Sequence, residues 1–324
     1  MRLCLFDPGL EDNEGSPSHN LGDLIIHAAV RRELKRIFGD GEPLKISTHA
    51  RVSWKALKEA GTCDHLIVGG TNLLSSNMRH YKQWEINVFQ AWKIRRAVLF
   101  GVGWWQYQEN PDLYTRLVLR AALSKTALHS VRDDYTRQKL ESIGFTNVIN
   151  TGCPTMWPFA EFDFSKIPTT KADAALVMLS DYTKAPELDV RLLETVAGTH
   201  KKVYFWPQGR GDLDYVRSLS IPVIALEHSM KSLEDFIHSG VAFDYVGTRL
   251  HGGIYCMLAG KRSLVLRIDN RATEISRETG FPTVARDDFE SIQRWILKSE
   301  PVRVSLNTGA IDRWRMQFKT SSCL

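Results

Sequence analysis

Short apolar runs that stop at glycine, arginine or aspartate recur along this chain, each followed by a longer stretch of helical period. Strand, helix, strand in repetition requires parallel sheets with crossover helices, which leaves few folds open. In the first half the pattern predicts strands over 2–6, 44–47, 65–68, 97–103, 127–131 and 147–149. Helices are predicted over 21–38, 53–60, 112–123 and 133–143. Cys153-Pro154, Trp157-Pro158 and the polar stretch 164–171 then read as a connection, after which the alternation restarts. Strands are expected over 174–179, 202–206, 222–226, 245–247 and 263–268, and helices over 187–199, 213–218, 232–239 and 253–259. A last helix over 309–318 follows a polar segment and is expected to pack back on the first domain.

A length of 324 residues suits two domains of roughly 150 residues. The expected architecture is α/β, with two Rossmann-like domains at 1–160 and 161–324. Such domains bind ligands at the carboxyl ends of their strands, in the cleft between them. No apolar run approaches the roughly 18 to 20 residues of a membrane span, and Met1 to Asp7 reads as a buried strand rather than a secretory leader. The five cysteines (Cys4, Cys63, Cys153, Cys256, Cys323) are scattered without metal-finger spacing, so no metal site is expected and a reducing cytoplasm is the simplest home. A net charge of +5 is too mild and too spread for a nucleic-acid binder. It suits anionic metabolites or peripheral association with the inner membrane face. Tyr81, Trp84, Val88, Ala91 and Trp92 share one helical face in a basic-aromatic stretch that reads as a helix packed on a core rather than on a membrane.

Chemistry concentrates where strands end. The segment Phe243 to Ile254 is an apolar strand ending in Thr248-Arg249-Leu250-His251 that turns through Gly252 and Gly253 into a helix. Glycines there admit a ligand to the backbone, the helix start offers unpaired N–H groups, and Arg249 and His251 add a cation and an acid/base. Three more glycine turns fall at predicted strand ends: Asn20-Leu21-Gly22-Asp23, Gly69-Gly70-Thr71-Asn72 and Gly101-Val102-Gly103. None is a dinucleotide fingerprint or a phosphate-binding loop of the Gly-x-x-x-x-Gly-Lys type, and no Gly-x-Ser-x-Gly elbow occurs. Arg132 ends a strand before Asp133-Asp134, and Asp269-Asn270-Arg271 follows another. Lys184 follows Leu179-Ser180-Asp181. Asp212-Leu213-Asp214 has the spacing of a metal-binding acidic pair but reads as a loop and helix cap. Trp104 and Trp105 suit either sugar stacking or packing.

Taken in order, Asn20 to Asp23, Val68 to Leu74, Gly101 to Gly103, Val131 to Asp133, Pro207-Gln208 with Asp212, Thr248 to Gly252 and Asp269 to Arg271 resemble the polysaccharide pyruvyl transferases. The resemblance implies a GT-B-like fold, phosphoenolpyruvate as donor substrate and no cofactor. It implies a sugar or lipid-linked oligosaccharide as acceptor, with a pyruvyl ketal as product. It further implies that His251 is catalytic, that Arg132 and Arg249 hold the donor's anionic groups, and that Leu250, Gly252, Gly253, Asn20, Gly22, Asp23, Gly69, Gly70, Asn72 and Arg271 line the substrate site. The chain departs from the family at Asp269-Asn270-Arg271, where Asp-x-Lys is frequent, and at Cys153-Pro154, where Asp-Pro is frequent. Two rival readings share the architecture or the setting: a GT-B glycosyltransferase using a nucleotide sugar, and a non-catalytic glycan-assembly protein.

Overall fold

The computed structural model describes residues 1–319, so Cys323 lies outside the described residues. The chain divides into two compact units, one of Met1–Ser18, Asp23–Trp157 and the chain from Leu306 onward, the other of His19–Gly22 and Pro158–Ser305.

In the first unit β1 (Leu3–Asp7), α1 (Leu21–Phe38), β2 (Leu44–Ser47), α2 (Trp54–Ala60), β3 (His65–Gly69), α3 (Val88–Ile94), β4 (Val98–Phe100), α4 (Leu113–Ala122), β5 (His129–Val131), α5 (Asp134–Glu141) and β6 (Val148–Asn150) follow one another. The parallel order is β2-β1-β3-β4, and the parallel pair β5-β6 continues it through a bridge between Val102 and Val131. Side chains that alternate along each strand separate the two faces. Phe6, Val68 and Leu99 join the core under α2, α3 and α4, whereas Leu5, Ile67 and Phe100 join the core under α1.

Several boundaries differ from those expected. β4 stops at Phe100 rather than 103 because Gly101 takes φ 64°, a left-handed conformation that no strand continues through. The run from Tyr81 to Trp92 is not one helix. Its helix starts at Val88, where Asn87 accepts from Gln90 N at 3.0 Å while the Gln90 side chain accepts from Asn87 N at 2.9 Å, a capping box. Trp84 is fully buried upstream of that helix, but Trp92 stands 56% exposed, against the expectation that it faces the core, and Phe89 beside it is 76% exposed.

His129, at the start of β5, is fully buried; its Nδ1 accepts from Leu99 N at 3.2 Å and its Nε2 donates to Ser124 O at 2.9 Å. Burial pulls its pKa down from 6.5 to about 4. The unfolded chain therefore takes up the proton first, and stability that is full above pH 6.5 is lost as pH falls toward 4. The loss should reach roughly 3 kcal/mol for this group. Urea unfolding of wild type and His129→Gln across that window checks it, with the variant expected to show the flatter profile.

The second unit comprises β7 (Ala174–Met178), α6 (Pro186–Thr199), β8 (Lys202–Phe205), α7 (Asp212–Ser218), β9 (Ile224–Ala225), α8 (Met230–His238), β10 (Phe243–Gly247), α9 (Leu250–Leu258), β11 (Ser263–Arg267), α10 (Asn270–Thr279), β12 (Thr283–Ala285) and α11 (Phe289–Leu297). Its sheet, β12-β11-β10-β7-β8-β9, is parallel throughout. β12, α10 and α11 fall between the strand expected over 263–268 and the helix expected over 309–318, where no element is predicted from sequence. α10 hides in sequence because its composition is mostly polar, yet Asp269 caps its start and Gly280, at φ 74°, ends it.

α9 corrects a second expectation. It begins at Leu250, not Gly253, with Arg249 as its N-cap at φ −88° and ψ 97°. Gly252 and Gly253 lie inside its first turns and serve close packing rather than a bend. A side-chain carbon on Gly252 would run into the Met178 sulfur, and one on Gly253 would come within 2.6 Å of Val265. The last helix, α12 (Thr308–Met316), belongs to the first unit. There Trp314 stacks on Phe100 with centroids 4.3 Å apart, and Arg315 pairs with Glu33 at 2.5 Å.

Candidate active site

In the second unit the loops after β11, β10, β7 and β8, adjacent strands of one parallel sheet, carry Asp269, Arg249, Asp181 and Asp212. Arg249 is 3% exposed and its guanidinium is held along one edge. Nε donates to Asp212 Oδ2 at 3.0 Å, Nη2 donates to Asp212 Oδ1, and Asp181 Oδ1 lies 3.4 Å from Nη2. Among the described residues none accepts a hydrogen bond from Nη1. Asp212 is fully buried and also accepts from the amides of Gln208 at 3.1 Å, Gly209 at 2.7 Å and Asp181 at 3.0 Å. Burial pushes its carboxyl up, and Arg249 with the Gly209 and Asp181 amides draws it back toward the ionised form.

Asp214 is exposed with an exposed Arg217 beside it, so Asp212 and Asp214 share no site and the acidic pair is not a metal motif. Residues two apart in a helix face different ways. The pairing of Asp212 with Arg249 is what sequence reasoning missed. It depends on strand order, since Asp212 follows β8 and Arg249 follows β10, the two strands that flank β7.

The turn from β10 into α9 is fixed from below by Tyr245, whose hydroxyl donates to Arg249 O at 2.7 Å. Burial pushes that phenol far above its usual range, so it stays a donor. Tyr182 lies beneath the Arg249 guanidinium, 4.8 Å from its ring centre, and its hydroxyl accepts from Arg271 at 2.8 Å. Arg271 is held in turn by Asp269, at 3.0 Å through Nε. Tyr182 thus ties Arg249 to Arg271, a link that no motif signalled. Lys184, by contrast, is exposed and lies over the ring of Tyr215.

His251 sits in the first turn of α9, 4% exposed, beside the helix amides that lack partners within the helix. The side-chain oxygens of Ser180, Gln208 and Thr248, which follow β7, β8 and β10, are buried and find no hydrogen-bond partner among the described residues. Buried polar atoms left unmatched at one sheet edge are what a polar ligand would satisfy. Asn20 and Gly22 group with this unit: Gln208 Nε2 donates to Asn20 Oδ1 at 3.2 Å, Leu21 N donates to Gln208 O at 2.9 Å, and any side chain on Gly22 would meet Gln208 within 2.5 Å. Side chains alone do not make the cluster cationic, since Arg249 and Arg271 face Asp181, Asp212 and Asp269. Capacity for an anion resides in the free edge of the Arg249 guanidinium and the start of α9.

In the first unit Arg132 is 1% exposed at the end of β5. It donates to Asn72 Oδ1, lies 3.4 Å from Asp133 and packs so tightly under Gly103 that any side chain there would collide with it. Asp133 meanwhile caps α5, accepting from Thr136 N at 2.7 Å. Gly69 ends β3 and Gly70 follows it, where a side chain would strike the Gly101 carbonyl. Asp23 accepts from Ser18 Oγ at 3.1 Å and lies 3.9 Å from His49. Trp104 is buried, its indole donating to Gln108 at 3.0 Å, while Trp105 stacks on Tyr81 at 3.7 Å. No His, Cys, Asp and Glu among the described residues gather as a metal cluster.

Among solved structures the chain is similar to the UDP-GlcNAc 2-epimerase of Methanocaldococcus jannaschii, crystallised with UDP-GlcNAc and UDP. The TM-score is 0.54 at 10% identity over 99% of both chains, a likeness that shows a GT-B-like fold and nothing finer. No curated protein matches the chain at a significant level. Residues 20–270 match the family model described as polysaccharide pyruvyl transferase, and the chain, an α/β protein with the Arg249-Leu250-His251-Gly252 site inside that span, belongs to this family.

Proposed function

We propose that the protein moves the pyruvyl group of phosphoenolpyruvate onto two hydroxyls of a sugar, in a polysaccharide or its lipid-linked precursor, as a cyclic ketal. The observation that carries this reading is the guanidinium of Arg249, clamped by Asp212 along one edge, two residues before His251 at the start of α9. A fixed fork and helix-terminal amides suit a ligand that bears both a carboxylate and a phosphate.

The chemistry balances with these groups alone. An acid protonates C3 of the enol ester while one sugar hydroxyl adds at C2 and gives up its proton. The second hydroxyl then displaces inorganic phosphate, and its proton leaves with a base. His251 acts as the acid at C3 and serves later as a base. Arg249 stabilises the charge on the departing phosphate. Arg271, tied to Arg249 through Tyr182, orients the donor, and Arg132 in the first unit binds an anionic group of substrate.

A thermal-shift titration tests the reading without an acceptor, because a ligand of the folded state raises stability by mass action. Phosphoenolpyruvate at about 100 times its Kd should add roughly 2.7 kcal/mol, and Arg249→Ala should abolish the shift. A shift with a nucleotide sugar and none with phosphoenolpyruvate would assign the protein to sugar transfer instead.

A further inference from the structure

The buried faces of α2, α3 and α4 all enter one core cluster on the same side of the first unit's sheet, and α3 packs against both neighbours. Their outward faces therefore form one surface. On it stand Trp54 from α2, Phe89 and Trp92 from α3, and Leu113 and Leu117 from α4, each between 56% and 78% exposed. Phe89, Trp92 and Lys93 fall at positions i, i+3 and i+4, and Leu113, Leu117 and Arg120 at i, i+4 and i+7, so each helix aligns its apolar groups with a cation. The Trp92 ring lies 4.9 Å from Lys93 Nζ and 5.6 Å from the Arg95 guanidinium carbon.

Charge on these helices is one-sided. They carry Lys55, Lys58, Lys93, Arg116 and Arg120 against a single acid, Glu59. α5, whose inner face enters the same core, shows what an ordinary solvated helix of this unit looks like. It balances Asp134 and Glu141 against Arg137 and Lys139 and exposes no large apolar side chain.

We infer that the outer face of α2, α3 and α4 docks on an anionic lipid surface, with Phe89 and Trp92 entering the headgroup boundary and the surrounding lysines and arginines facing lipid phosphates. A second copy of the chain fits this face poorly, because a two-fold interface sets the same cations against one another. Among the described residues no helix is long and apolar enough to cross a membrane, so the contact is peripheral. The inference is independent of the Arg249 site and stands or falls separately from it.

Flotation of the full chain with vesicles tests it. The protein should float with phosphatidylcholine vesicles containing phosphatidylglycerol and stay behind with phosphatidylcholine alone, and high salt should release it. Phe89→Ser with Trp92→Ser, and separately Lys93→Glu with Arg120→Glu, should each weaken binding by about tenfold or more. All four side chains are exposed, so both variants should melt as wild type does. Absence of flotation with anionic vesicles, or equal flotation of wild type and both variants, would overturn the inference. So would a dimer that Phe89→Ser with Trp92→Ser dissociates, since that would assign the face to a second copy.

Discussion

Replacing His251 by alanine is expected to lower pyruvyl transfer roughly 100- to 10,000-fold while leaving the protein folded, the range in which a positioned acid or base contributes. The residue sits in the first turn of α9, which is anchored independently of the imidazole. Tyr245 holds the Arg249 carbonyl, and the two following glycines pack against Met178, Val265 and Tyr245. Donor binding should persist, because Arg249 and its carboxylate partner are untouched. The expected signature is therefore a fall in kcat with little change in the phosphoenolpyruvate-induced thermal shift. Near-normal turnover by a folded His251→Ala protein would remove the residue from the chemistry.

Asp212→Ala should have the largest effect on stability, about 3–5 kcal/mol, because it leaves a buried guanidinium without its main counter-charge. The carboxylate is fully buried and also accepts from three backbone amides, so alanine strands several donors at once. In a domain of this size that corresponds to a fall of roughly 10 °C in the melting of the second unit. Function should suffer beyond stability. Without the clamp on Nε and Nη2, Arg249 is free to rotate, and the phosphoenolpyruvate-induced shift should be lost even at temperatures where the variant is fully folded. Differential scanning calorimetry with and without the donor separates the two effects. A donor-induced shift of wild-type size in Asp212→Ala would show that the clamp does not aim the cation.

The parallel sheets were legible because their signals are local: apolar runs bounded by glycine, with capping residues such as Asp112 and Asp133 opening the next helix. α10 was not, since its residues are mostly polar, and the three-residue β12 is too short to show a period; α11, with Phe289, Ile292, Trp295 and Ile296 at helical spacing, carries a helical signal yet is absent from the predicted elements. α9 was placed three residues late because paired glycines read as a turn, whereas here they admit a helix close to strands β7, β10 and β11. For the site, residue types at strand ends could be read, but partnership could not. Nothing between positions 212 and 249 announces a buried ion pair; it follows from strand order, in which β10 and β8 flank β7. Trp92 was placed on the core face for a related reason: a helical face can be assigned only once the capping box at Asn87 has fixed where the helix begins.

The central claim is tested most directly by following phosphoenolpyruvate labelled in its pyruvyl carbons into the glycan and lipid-linked precursor fraction of cells that make this protein. The account predicts label in the glycan, acid-labile as a ketal, with one inorganic phosphate released per pyruvyl group and neither product formed by the His251→Ala protein. Glycan that takes up sugar from a nucleotide donor and no pyruvyl label would contradict it.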